Sequence, residues 1–201
     1  MLKRLSKYSI IAISYIFIIR LFGTVFGKNF SSNVYFAAFT EFLFILSVLI
    51  LGLFFYYFTK EYAEKIDSPF KVISFLPVFG YTLLLITHFI RFLNILIKTF
   101  NFPLIGNLVF FIIPSLINPI FLLIFFMYFY FKIKDKDTLL KRSVLFAAIG
   151  VFLFVFLFLA YGFFTLKSYK FSLFFPASFL IFIIQYITYF NFFYEFQKKL
   201  E

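Results

Sequence analysis

Six long apolar stretches, joined by short connections that carry lysine, leave this chain few ways to fold. A helix needs about 20 apolar residues to cross roughly 30 Å of hydrocarbon at 1.5 Å per residue. On that rule the spans fall at 8–27, 35–59, 70–97, 102–131, 139–166 and 171–194. No linker or low-complexity tract breaks the sequence, and no internal repeat stands out, so residues 1–201 read as one polytopic transmembrane domain. The expected fold is an all-α integral membrane protein, a bundle of six transmembrane helices with both termini cytoplasmic.

Composition supports lipid as the solvent. The chain is 64% hydrophobic and 13% charged, with a mean hydropathy of +1.05. A soluble domain is nearer half apolar and a quarter charged. A net charge of +11 suggests nucleic acid in a soluble protein; here the basic residues sit between apolar runs, where membrane topology explains them. Nucleic acid is therefore not an expected partner. With no cysteine and one histidine, His88, thiolate metal sites, cysteine nucleophiles and bis-histidine haem ligation within one chain are excluded. No metal or other cofactor is expected. The 41 phenylalanines and absent tryptophan read most simply as the product of AT-rich coding.

Orientation follows from lysine and arginine. Thirteen lie on one side: Lys3, Arg4, Lys7, Lys60, Lys65, Lys71, Lys132, Lys134, Lys136, Lys141, Arg142, Lys198 and Lys199. Lys28, Lys98, Lys167 and Lys170 lie on the other. Positive charge stays in the cytoplasm, which puts both ends there and the chain in the cell (cytoplasmic or inner) membrane. Arg20 interrupts the first stretch, which reads as a retained span rather than a cleaved signal. Tyr56, Tyr57, Tyr128, Tyr130, Tyr189 and Tyr194 fall where spans two, four and six meet that side, a position suited to interfacial anchors.

Three charges lie inside spans: Arg20, Glu41 and Arg91. Each costs about 2.5–3.5 kcal/mol at a helix centre, so each normally faces a partner or water. All three fall about 9–11 Å below the outer boundary by helix rise. Small or polar neighbours share their faces: Gly23, Thr24 and Gly27 with Arg20; Ala37 and Gly52 with Glu41; Thr87, His88 and Asn94 with Arg91. Span four adds Asn107, Pro114 and Asn118 in one stripe, and span six adds Ser178, Gln185 and Tyr189. Pro114 and Pro119 remove backbone donors and are expected to bend span four. Span five is almost wholly apolar and is expected to face lipid or a partner subunit.

Two readings fit this polar interior. In one, ion pairs such as Arg20–Glu41 and interhelical hydrogen bonds fix the packing. In the other, Arg20, Glu41, His88, Arg91, Asn94, Asn107, Asn118 and Gln185 form a ligand site, with two arginines set against one glutamate. No Walker loop, G-x-G-x-x-G, H-E-x-x-H or G-x-S-x-G motif is present. Asp67, Asp135 and Asp137 lie in connections, not in an intramembrane pair, so no catalytic residue is expected. The expected function is binding or transport of a small anionic or amphiphilic solute in the outer half of helices one to three. The alternative is a non-catalytic subunit or scaffold of a larger membrane complex, partnered by a second copy or another membrane subunit through Ala147 and Gly150.

Overall fold

A computed structural model of the protein describes residues 1–26, 34–97, 113–133, 137–166 and 174–200. These form six α-helices and no strand: α1 (Leu2–Phe26), α2 (Val34–Glu61), α3 (Ser68–Ile97), α4 (Ile113–Lys132), α5 (Thr138–Leu166) and α6 (Phe174–Lys199). A 3₁₀ turn at Ala63–Lys65 joins α2 to α3. Four helical segments, at Val34–Lys65, Ser68–Ile97, Ile113–Lys132 and Thr138–Leu157, are long and apolar enough to cross a membrane. Every helix also turns large apolar side chains outward, among them Ile18, Phe39, Phe89, Phe131, Phe156 and Ile187. A water-facing surface rarely tolerates so continuous an apolar coat.

Short connections make sequential helices spatial neighbours. Each helix packs on the next, and α1 packs on α6, which closes a ring of six. The start of α1 and the end of α6 meet at one end of that ring, where the Ser6 hydroxyl donates to the Phe193 carbonyl at 3.1 Å.

Phenylalanine fills that end. The pentad Phe-Phe-x-x-Phe occurs near the end of α2 (Phe54, Phe55, Phe58), α4 (Phe125, Phe126, Phe129) and α6 (Phe192, Phe193, Phe196). Residues at i, i+1 and i+4 share one helix face, so each pentad aims three rings at the axis. All nine are at most 2% exposed. Phe58 sits at the centre, with ring centroids 5.1–6.0 Å from Phe54, Tyr62, Phe70, Phe125, Phe129 and Phe196. Three of these six, Phe70, Phe125 and Phe129, stand edge-to-face to it, an arrangement ring quadrupoles favour, and the other three are tilted. This repeat escaped the sequence reading, which assigned the phenylalanines to coding bias.

The same end carries the ionic ties. The Met1 ammonium approaches Glu61 at 3.8 Å, Lys132 pairs with Asp67 at 2.5 Å, and Lys199 pairs with Asp137 at 2.7 Å. Asp67 also caps α3, accepting from the Phe70 N–H at 2.6 Å. Lys132 foremost, with the Phe70 N–H, holds the Asp67 carboxyl below its ordinary value against an opposing desolvation. A depressed carboxyl contributes stability above its unfolded value, about pH 3.9, and that contribution fades as pH falls through the folded value. Asp67→Asn keeps a capping oxygen and loses the charge, whereas Asp67→Ala loses both. Thermal unfolding at pH 7 is therefore expected to rank wild type above Asn above Ala. The gap between wild type and Asn closes in acid; a gap that persists there contradicts the pairing.

Span five departs from expectation. Ala147 and Gly150 do not face outward: Ala147 is fully buried, and a Cβ at Gly150 would lie 2.5 Å from the Thr188 hydroxyl oxygen on α6. Close approach of α5 and α6 needs glycine there. The outward side of α5 bears instead Phe146, Phe152, Phe156 and Leu159. Pro114 lies in the first turn of α4, where its missing N–H costs little, while Pro119 is internal.

Candidate functional site

Beyond the phenylalanine layer, the ring of helices encloses a cavity of about 220 Å³. Every helix contributes to its wall: Ile13 and Ile16 from α1, Phe44, Val48 and Leu51 from α2, Tyr81, Leu84, His88 and Arg91 from α3, Ser115, Asn118, Pro119 and Leu122 from α4, Phe154 from α5, and Gln185, Tyr186 and Tyr189 from α6. Apolar side chains and polar-bearing ones, Tyr81, His88, Arg91, Ser115, Asn118, Gln185, Tyr186 and Tyr189, share the wall about equally, and convergent polar groups in a concave site are what fix a ligand's orientation.

Position within α3 explains the triad of His88, Arg91 and Tyr81. Residues seven apart lie two turns up the same face, so Tyr81 and His88 align, and Arg91 follows His88 by three. From α2, Glu41 reaches both basic residues. One carboxylate oxygen lies 2.5 Å from His88 Nδ1, and the other lies 3.7 Å from Arg91 Nε. A carboxylate only accepts, so the histidine nitrogen donates. The Phe44 ring lies 4.2 Å from the imidazole, which fixes its second face.

Burial differs within the group and decides roles. The Glu41 and His88 side chains are 11% and 14% exposed, whereas Arg91 is 59% exposed. Arg91 therefore spans from the cavity wall to the surface, with its Nε turned towards Glu41. Two basic side chains share one carboxylate. Arg91 is permanently charged.

Across the cavity, Gln185 Nε2 donates to the Tyr189 hydroxyl at 3.4 Å. Asn118 is buried with its Oδ1 against Gly80: a Cβ at position 80 would lie 2.5 Å from that oxygen and 3.0 Å from the Asn118 Cα. Glycine at 80 thus lets α4 approach α3 and bring Asn118 to the wall. Among the described residues Asn118 Oδ1 has no hydrogen-bond donor.

Of the residues singled out in the sequence, Glu41, His88, Arg91, Asn118 and Gln185 come together here. Asn94 is half-buried one turn along α3 and is not on the cavity wall. Asn107 lies outside the described residues, and Arg20 lies on α1 with its side chain outside them. Of the expected arginine–glutamate pairs, Glu41–Arg91 is present at 3.7 Å, and Glu41 also takes the contact with His88 that the sequence did not suggest. Tyr189, which suited both an interfacial position and the polar stripe of span six, is 8% exposed on the cavity wall beside Gln185, as the stripe has it. Tyr56 and Tyr194, at 41% and 45% exposed, do point outward. Tyr81, Ser115 and Tyr186 escaped the sequence reading. The i, i+7 spacing from Tyr81 to His88 was the available signal for the first. No protein-family model, curated protein or solved structure matches the chain.

Proposed function

We propose that this chain is a six-span protein of the cell membrane, with both ends cytoplasmic, that binds a small anionic or amphiphilic solute in the cavity between its helices and carries it within or across the bilayer. The carrying observation is Arg91, half in the cavity and half at the surface, beside a glutamate shared with His88. Guanidinium groups suit carboxylate and phosphate because their donors form a planar fork.

Two features support six spans. α1 and α6 are 25 and 26 residues long, and each packs along one of the segments apolar enough to span, α2 and α5. Elements sealed into one ring with such helices cross the same slab. The basic residues gathered at the phenylalanine-filled end favour the cytoplasm for that end.

The test is binding of acetate, inorganic phosphate and palmitate to the purified chain in neutral detergent. At least one is expected to bind, and Arg91→Ala is expected to weaken it by about tenfold or more, the loss of one charge-assisted pair, with insertion unchanged. Equal affinity in the variant, or no anion bound by the wild type, ends this reading. The subunit alternative loses its expected seam, because Ala147 and Gly150 are spent on contacts within the chain.

A further inference from the structure

The cavity has a neighbour. A groove of about 430 Å³ runs between α1 and α6, lined by Ile13, Ser14, Phe17, Ile18, Tyr186, Ile187 and Phe190. Two of these, Ile13 and Tyr186, also line the polar cavity, so the two spaces share a wall only one side chain thick. The groove offers almost no polar surface, since the Ser14 hydroxyl is spent on the Ile10 carbonyl at 2.9 Å. Ile18 and Ile187, 46% and 61% exposed, open it to the outside of the ring, where the bilayer lies on the reading above.

The seam itself is unlike the others. No loop ties α1 to α6 directly; the Ser6–Phe193 hydrogen bond holds them at the phenylalanine-filled end, two turns along α1 from the groove. At this seam Phe17 stacks on Phe182 at 5.8 Å and leans on Tyr186 at 5.7 Å. The α3–α4 and α5–α6 seams, by contrast, hold glycine-mediated close contacts at Gly80 and Gly150.

Resting on the anion-binding reading, we propose that the α1–α6 seam is a lateral portal and that the ligand is a single-chain anionic amphiphile drawn from the membrane. Its carboxylate or phosphate lies in the cavity towards Arg91, and its hydrocarbon chain passes between Ile13 and Tyr186 into the groove. The two spaces match the two halves of such a molecule: a small polar chamber with the Arg91 guanidinium on its wall, and an apolar trough open to the outside of the ring. A cavity of about 220 Å³ admits a compact headgroup.

The experiment measures retention of palmitate, hexadecyl phosphate, hexadecanol, acetate and inorganic phosphate on the intact chain by native mass spectrometry. Ile18→Trp and Ile187→Trp narrow the groove from either helix at lipid-facing positions. One or both of the long-chain anions are expected to bind about tenfold or more above the matching short anion, because each buried methylene adds to affinity. Which of the two binds identifies the headgroup. Hexadecanol is not retained. Both tryptophan variants lose about fivefold or more of the long-chain binding and keep the binding of acetate and phosphate, which also shows that they remain folded. Short anions binding as tightly as long ones, or groove variants that bind the long chain normally, overturn the portal while leaving the anion site standing. Absence of all anion binding overturns both.

Discussion

Phe58→Ala is expected to destabilise the protein by about 3 kcal/mol, the largest loss at any single apolar position. Phe58 is fully buried and touches rings from α2, α3, α4 and α6. Truncating a buried phenylalanine in a soluble core costs about 3–5 kcal/mol, part transfer from water and part cavity. In a bilayer the transfer part shrinks, because an unfolded helix already lies in hydrocarbon. The lost dispersion contacts remain, which places the estimate at the lower end. Phe152→Ala is the matched control: its ring is 55% exposed on the outer face of α5, and its loss is expected to cost less than about 0.5 kcal/mol. Reversible unfolding of both variants in the same micelle reads the difference. Equal losses would mean that the three pentads do not form a packed interior.

The second large effect belongs to Glu41. Glu41→Ala removes a charge-assisted hydrogen bond and leaves the His88 N–H, 14% exposed, without its carboxylate. Losing such a bond and orphaning a buried donor together cost about 2–3 kcal/mol. Arg91 adds less, because its Nε stands 3.7 Å from the carboxylate, beyond hydrogen-bond distance. Glu41→Gln retains an acceptor for His88 and is expected to cost about half as much. The double variant Glu41→Ala/His88→Ala separates pairing from packing. Coupled residues give a double loss smaller than the sum of the singles by about 1 kcal/mol or more. Additive losses would show that the 2.5 Å contact contributes no interaction of its own.

These two positions divide the molecule. One end of the ring is dry and aromatic and holds the helices together; the cavity beyond it brings together polar groups, among them the paired His88, from several helices. The lateral groove beside that cavity shares Ile13 and Tyr186 with it, the feature on which the proposed amphiphile site rests.

Much of this was legible in the residues alone. Length and hydropathy of the apolar runs set the helical class, because backbone polar groups in hydrocarbon must be satisfied within their own segment. The described helices start and end within about six residues of the expected spans, apart from the start of α4. Glu41, His88 and Arg91 announced themselves as charges or near-charges in apolar context, where cost per residue is high enough to demand a partner. Asn118 and Gln185 followed from one-face spacing on straight helices.

Which partner each one takes was decided by tertiary structure. Helix periodicity gives a residue's angle about its own axis, and says nothing of the rotation and depth at which two helices meet. Hence Glu41 pairs with His88 at 2.5 Å ahead of an arginine, and Tyr189 turns into the cavity although its position along α6 suits an interface. Likewise Ala147 and Gly150 read as a free small-residue seam until α6 fills it. The ring closure of α1 on α6, and the groove it leaves, joins the two ends of the described chain, a contact that no local pattern encodes. The sequence by itself determined the solvent, the helices and the unusual charges; their meeting in one chamber came from packing six helices into a closed ring.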